Sequence, residues 1–147
     1  MIKIKIVESF ICFSRIEFLS RIDAFSLKIM PLTKHNGLLR IFITRNIAEM
    51  HIVSPRLNSF SLKMMEDLSN LLDDLHNNGQ QIYGLILNGE NKTFCTGFDI
   101  KCFGDDPTGV KMCSLMHSNY LKFASLPMVT VAAIEGYAIG GGAELSA

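Results

Sequence analysis

Residues 131–145 read Val131-Ala132-Ala133-Ile134-Glu135-Gly136-Tyr137-Ala138-Ile139-Gly140-Gly141-Gly142-Ala143-Glu144-Leu145, and this stretch decides the fold. The apolar, β-branched run from Met128 to Ile134, opened by Pro127, predicts a buried strand. Glu135-Gly136 ends it, three glycines follow, and Ala143-Glu144-Leu145 predicts the first turn of a helix. A second stretch repeats the design. Ile86-Leu87-Asn88-Gly89-Glu90-Asn91-Lys92 leads from a strand into Thr93-Phe94-Cys95-Thr96-Gly97-Phe98-Asp99-Ile100-Lys101. Glycine permits backbone conformations closed to other residues and lets a ligand approach the main chain. Amides at a helix start have no internal partner and carry partial positive charge. Two such donors aimed at one point would stabilise an oxyanion or enolate, by about 3–4 kcal/mol per donor. The same glycines also suit tight helix–strand packing, and the residues alone leave both readings open.

Competing motifs fail at specific positions. Gly136 and Gly141 approach the spacing of a phosphate-binding loop, but Gly142-Ala143 stands where Lys-Ser/Thr is required. A dinucleotide fingerprint would need glycine where Leu145 stands, and there is no G-x-S-x-G nucleophile turn. Glu144 is the carboxylate beside the glycine run. It reads either as a general acid or base or as a simple helix-start charge. Asp99 beside the other glycine turn reads as a helix-start or loop-bracing residue. Cys95 reads as a packed thiol, since no histidine lies in either segment to activate it. Tyr137 reads equally as pocket wall or packing, and His51 and His117 as face or core positions.

Outward from these segments the elements are regular. Residues 38–44 and 47–53 predict a β-hairpin turning at Arg45-Asn46, with Asn46 taking the positive φ of a tight turn. Leu62, Met65, Leu68, Leu72 and Leu75 form one helical stripe over residues 61–77, with Glu66, Asp67, Asp73 and Asp74 elsewhere. Asn77-Asn78-Gly79 stops that helix. Residues 81–88 predict a strand, so the order is ββαβ. A polar loop with Asp105, Asp106, Pro107 and Gly109 precedes a second helix with the stripe Val110, Cys113, Met116, Tyr120 and Phe123. There are no internal repeats.

Composition bounds the rest. The chain has 147 residues, 48% apolar and 19% charged, which suits one domain with a real core. Fourteen basic and fourteen acidic side chains cancel, and no basic, aromatic-studded strip is present, so nothing marks a nucleic-acid partner. No apolar run approaches the roughly 20 residues of a membrane span. The four cysteines (12, 95, 102, 113) and four histidines (35, 51, 76, 117) lack metal-ligand spacing, so neither a metal site nor a disulfide framework is expected. Residues 1–37 carry six basic and three acidic side chains, unlike the acidic remainder. The acidic residues argue against a signal or transit peptide, and this stretch reads as an N-terminal extension of uncertain role, ending in a linker at 31–37.

The segment Phe94-Cys95-Thr96-Gly97-Phe98-Asp99-Ile100-Lys101, together with Leu126-Pro127 leading to Gly140-Gly141-Gly142-Ala143-Glu144-Leu145, resembles the crotonase (enoyl-CoA hydratase/isomerase) superfamily. Pro55-Arg56-Leu57-Asn58-Ser59-Phe60-Ser61 matches a third landmark of that superfamily. Within it, these motifs are most similar to the ethylmalonyl-CoA decarboxylase branch. The resemblance implies an α/β crotonase-like ββα spiral over residues 38–147, truncated after the GGGAEL helix start. It implies an oxyanion hole of two backbone N–H groups, those of Phe98 and Gly141, on the thioester carbonyl of an acyl-CoA. It places Arg56, Leu57, Ser59, Thr96, Gly97, Asp99, Ile100, Ala138 and Gly140 against coenzyme A or substrate, and Glu144 at a catalytic position. Coenzyme A enters as part of the substrate, with no separate cofactor and no metal.

The implied reaction is decarboxylation of an ethylmalonyl- or methylmalonyl-type CoA thioester. Hydration of an enoyl-CoA is one alternative, and an inactive short form that mixes with full-length subunits is another. Full-length members would form homotrimers or hexamers, in the cytoplasm or alternatively the mitochondrion. Family members continue well past residue 147, so the chain reads as the N-terminal portion of a longer domain. Without the covering helix, Val129, Val131 and Ile134 would be exposed. At about 25 cal/mol per Å² that loss amounts to several kcal/mol, so the chain alone is expected to be inactive and poorly folded.

Overall fold

The computed structural model describes residues 4–7, 38–78, 82–102 and 107–147. Most of the stretch set apart as an extension, the linker at 31–37, Gly79, Gln81 and the loop with Asp105 and Asp106 lie outside the described residues. Five strands form one sheet in the order β1-β5-β4-β3-β2. These are β1 (Ile4–Val7), β2 (Leu39–Thr44), β3 (Ile47–Ile52), β4 (Gly84–Gly89) and β5 (Val129–Ile134). β2 and β3 make the antiparallel hairpin, while β3, β4, β5 and β1 run parallel. The helices are α1 (Leu62–Asn78), α2 (Pro107–Ser125) and the short α3 (Gly141–Ser146), with a 3-10 turn at Ile100–Cys102. The chain is thus a mixed α/β unit that returns to the sheet after α1 and again after α2.

Alternation sets which face is inside. Leu39, Ile41, Ala48, Met50, Ile52, Leu85 and Leu87 are buried on one sheet face. The apolar stripe of α1 joins them, with Met64, Met65, Leu68, Leu71, Leu72 and Leu75 buried in the same cluster. Each such side chain contributes about 1.5–3 kcal/mol on burial, so this layer holds the domain together. Ser61 starts α1, its hydroxyl accepting from the Met64 amide at 3.2 Å.

Four local expectations differ from what is observed. The positive φ of the hairpin turn falls on Arg45 (56°) and not on Asn46. The first central residue of a two-residue hairpin loop takes that conformation in both favoured turn types. Asp67, expected on the polar side of α1, is buried, with Lys63 reaching it at 2.6 Å. The buried positions of α2 are Met112 and Asn119, whereas Val110 and Cys113 of the expected stripe are exposed. Asn119 donates from Nδ2 to the Met65 carbonyl at 2.9 Å, and this buried bond fixes how α2 is rotated against α1. Finally, the run read as a buried strand has no buried residue: Val129 is exposed, as expected where no helix covers it, and the other five residues of β5 are half-buried. The outer sheet face carries no layer of described residues at β5, and the inner face at β5 borders a cavity.

Candidate active site

The backbone brings the three motif segments side by side. The Cys95 amide donates to the Tyr137 carbonyl and the Ile139 amide donates to the Cys95 carbonyl, both at 3.0 Å. Cys95 therefore pairs with Ala138 in a short parallel bridge. On its other side the same segment is laced to residue 60. The Phe60 amide donates to the Gly97 carbonyl at 2.7 Å, and the Asp99 amide to the Phe60 carbonyl at 3.0 Å. The Phe60 and Phe98 rings meet edge to face with centroids 6.0 Å apart.

Gly97 stands at the junction. Its φ is +82°, and a side-chain carbon there would lie 2.8 Å from the Ile139 carbonyl oxygen and 2.9 Å from the Gly141 amide nitrogen. Any side chain at position 97 would therefore collide with the backbone that leads into Gly141. Gly142 is packed as closely, since a carbon on it would fall 2.2 Å from the Cys95 carbonyl oxygen. Here the glycines let the two motif segments pack closely, backbone against backbone.

The expected contact residues fall into two groups. Around the Gly97 end, Arg56 pairs with Asp99, and the Thr96 hydroxyl donates to the Leu57 carbonyl at 3.0 Å. The Lys101 amide donates to the Asp99 carboxylate at 3.1 Å. That bond, with Arg56 adding to it, holds the Asp99 carboxyl below its ordinary value. Asp99 therefore braces the loop, as its position suggested. Leu57 and Ile100 project into solvent, Ser59 is buried, and Gly140 is exposed with φ +52°.

Glu144 and Ala138 belong to the second group. They line a cavity of about 440 Å³ walled by Leu85, Leu87, Phe123 and Val131. Phe98 and Gly141 are not among the residues that line it, whereas Tyr120 is. Cys95 is buried, and burial pushes its thiol up to about 11, so it stays protonated and unreactive at neutral pH. Tyr137 is exposed, and its contribution is the carbonyl that Cys95 binds. His51 lies half-buried on the outer sheet face, 2.9 Å from the Glu49 carboxylate, and His117 is exposed.

Two residues that the motif reading passed over prove central to the arrangement. Asn58 is 1% exposed and adopts φ 56°. Its side chain accepts from the Ser54 amide at 3.1 Å and donates to the Glu90 and Thr93 carbonyls at 2.8 and 2.5 Å. It therefore fastens the loop of Arg56, Leu57 and Ser59 to the turn that leads into Cys95. Its only trace in the sequence is an asparagine in a loop, a residue type that tolerates the left-handed region. Tyr120, read as a stripe residue, donates from its hydroxyl to the Gly141 carbonyl at 2.7 Å.

Comparison with known proteins places this geometry. The pattern of the enoyl-CoA hydratase/isomerase family matches residues 43–147. An ethylmalonyl-CoA decarboxylase of Xenopus laevis is 43% identical over 103 residues, covering 67% of this chain and 34% of the relative. One from Bos taurus is 31% identical over 133 residues, covering 88% of this chain and 41% of the relative. The chain thus spans about a third of the length of the first of these. Among solved structures, Pseudomonas aeruginosa DspI superposes with a TM-score of 0.72 at 27% identity, over 77% of this chain and 47% of DspI. An enoyl-CoA hydratase of Bacillus anthracis superposes with a TM-score of 0.68 at 31% identity, over 74% of this chain and 44% of that one. Among the described residues, no helix is long and apolar enough to cross a membrane.

Proposed function

The chain belongs to the enoyl-CoA hydratase/isomerase family, and on that footing we propose that its protein is an acyl-CoA lyase that decarboxylates an ethylmalonyl- or methylmalonyl-type CoA thioester. The Phe98 and Gly141 amides would bind the thioester carbonyl oxygen. The bond from C2 to the carboxylate breaks, CO₂ leaves, and its electron pair passes into the thioester as an enolate. Two preorganised donors would hold the resulting oxyanion, each supplying about 3–4 kcal/mol. A proton then returns to C2, giving butyryl-CoA from ethylmalonyl-CoA. Glu144 is the side chain we propose for that delivery. Because the thioester itself accepts the charge, this reaction needs fewer side chains than hydration does.

The observation that carries the reading is the close approach of the two glycine segments, where a carbon on Gly97 would touch the Gly141 nitrogen. The choice of decarboxylation leans on the relatives that bear that name. Hydration of an enoyl-CoA is the second reading, favoured by the hydratase among the structural neighbours. Coenzyme A would lie against Arg56, Leu57, Ser59 and residues 96–100. The test is incubation of the natural-length protein with ethylmalonyl-CoA and, separately, with crotonyl-CoA, followed by mass spectrometry. Butyryl-CoA and CO₂ from the first are expected. Hydration of crotonyl-CoA with ethylmalonyl-CoA left intact would overturn decarboxylation in favour of the second reading.

A further inference from the structure

A run of three glycines is a poor support for a group that must stay aimed. Glycine loses more conformational freedom on ordering than any other residue, and Gly140, Gly141 and Gly142 stand in a row. The helix they open, α3, has six residues, too few to be stable by itself. Its internal ties are local. The Gly142 amide donates to the Ile139 carbonyl at 2.9 Å, and the Ala143 and Glu144 amides donate to the Gly140 carbonyl at 2.9 and 3.1 Å. Such bonds hold the turn's shape but let it move as a unit. A fixed aim needs a tie to another part of the molecule on each side of the run. On the near side, the Ile139 amide bonds to Cys95. On the far side stands Tyr120, 21 residues away in sequence, with its hydroxyl on the Gly141 carbonyl.

We infer that Tyr120 is a positioning residue: its hydroxyl latches Gly141 and keeps the Gly141 amide directed at the thioester carbonyl. The inference rests on the reading of that amide as a carbonyl-binding donor. The latch has a firm base. Asn119, the preceding residue, is fully buried and donates to the Met65 carbonyl of α1. That bond sets the rotation of α2 and so turns Tyr120 toward the glycines. A carbon placed on Gly141 would lie 3.4 Å from both the Tyr120 hydroxyl and a Phe60 ring carbon, so the glycine is held between two side chains. Burial foremost, and then the nearby Glu144 carboxylate, raise the Tyr120 hydroxyl above its ordinary value. It therefore remains a donor throughout the neutral range. Tyr120 need not touch the substrate for this role.

The test compares wild type, Tyr120→Phe and Gly141→Pro in the natural-length protein, with rates normalised to folded enzyme. Tyr120→Phe keeps the ring and removes only the hydroxyl. Gly141→Pro removes the amide hydrogen at the first helical position, and because its ring adds bulk beside Phe60 and Tyr120, only protein with a wild-type circular dichroism spectrum is assayed. With ethylmalonyl-CoA as substrate, Tyr120→Phe should lower kcat about ten-fold, equivalent to about 1.4 kcal/mol, with KM within two-fold. Gly141→Pro should lower kcat about a hundred-fold or more. A wild-type kcat for Tyr120→Phe beside a defective Gly141→Pro would overturn the latch and leave the amide's role standing. Full activity in Gly141→Pro would overturn the amide's role and the latch with it. A parallel fall in kcat and rise in KM for Tyr120→Phe would assign Tyr120 to substrate binding and overturn positioning. Should Tyr120→Phe not fold, 3,5-difluorotyrosine at position 120 changes donor strength without removing it, and an unchanged kcat there would overturn the latch.

Discussion

Three alanine substitutions separate backbone strain from close contact at the junction of the motif segments. Gly140→Ala, at φ +52° with nothing within 4 Å of the added carbon, carries strain alone. With ψ at −127° this backbone lies outside even the left-handed helical region, and such strain is expected to cost about 1–3 kcal/mol. Gly142→Ala carries contact alone, because its φ is not positive but its carbon would fall 2.2 Å from the Cys95 carbonyl oxygen. Overpacking against backbone at the upper end of about 1–3 kcal/mol, less about 1 kcal/mol gained in helix propensity, leaves about 2 kcal/mol. Gly97→Ala carries both, with φ +82° and contacts of 2.8 and 2.9 Å to Ile139 and Gly141 backbone. The sum is about 2–5 kcal/mol, a large share of a typical domain's stability. Urea denaturation of the natural-length protein, followed by circular dichroism, measures all three. On the proposed function, Gly97→Ala should also lose turnover in the protein that stays folded, since the added carbon pushes the two motif segments apart. A Gly140→Ala loss equal to or above the Gly97→Ala loss would refute the contact argument.

Other outcomes follow from single contacts. Asn58→Ala leaves the Ser54 amide and the Glu90 and Thr93 carbonyls without their partner, and should cost about 2–4 kcal/mol in the urea midpoint. Asp99 has a lowered carboxyl pKa in the folded state, so its contribution is present above about pH 4 and is lost as pH falls through the lowered value. Asp99→Asn should therefore destabilise at pH 7 and lose that penalty at strongly acid pH, as paired urea titrations would read. Iodoacetamide at pH 8 should alkylate the exposed Cys113 while the native fold protects Cys95, whose thiol stands at about 11. Peptide mapping by mass spectrometry reads the order, and equal labelling would contradict the burial.

What the sequence made legible depended on whether a residue's partners were near in the chain. The α1 stripe was readable because Leu68, Leu72 and Leu75 recur at the helical period and their burial needs only one covering sheet. The hairpin and the ββαβ order followed from local turn chemistry. The β5 strand was readable from its β-branched run, but its burial was not, because that composition is the same whether or not anything covers the strand. The buried face of α2 was misplaced because the decisive residue, Asn119, is polar and its partner is a backbone carbonyl 54 positions away. At the site, the glycine runs announced themselves by composition. Their contact, Gly97 against Gly141, and the fastenings by Asn58 and Tyr120 are long-range and leave almost no mark on sequence spacing.

The most direct test of the central claim is the carbonyl stretch of a bound thioester. Butyryl-CoA labelled with ¹³C at the thioester carbonyl, bound to the natural-length protein, would be examined by isotope-edited infrared difference spectroscopy. Two converging amides should move the stretch to lower frequency than in water, and Gly141→Pro should return most of that shift. A bound carbonyl at its aqueous frequency, or a shift indifferent to Gly141→Pro, would contradict the account.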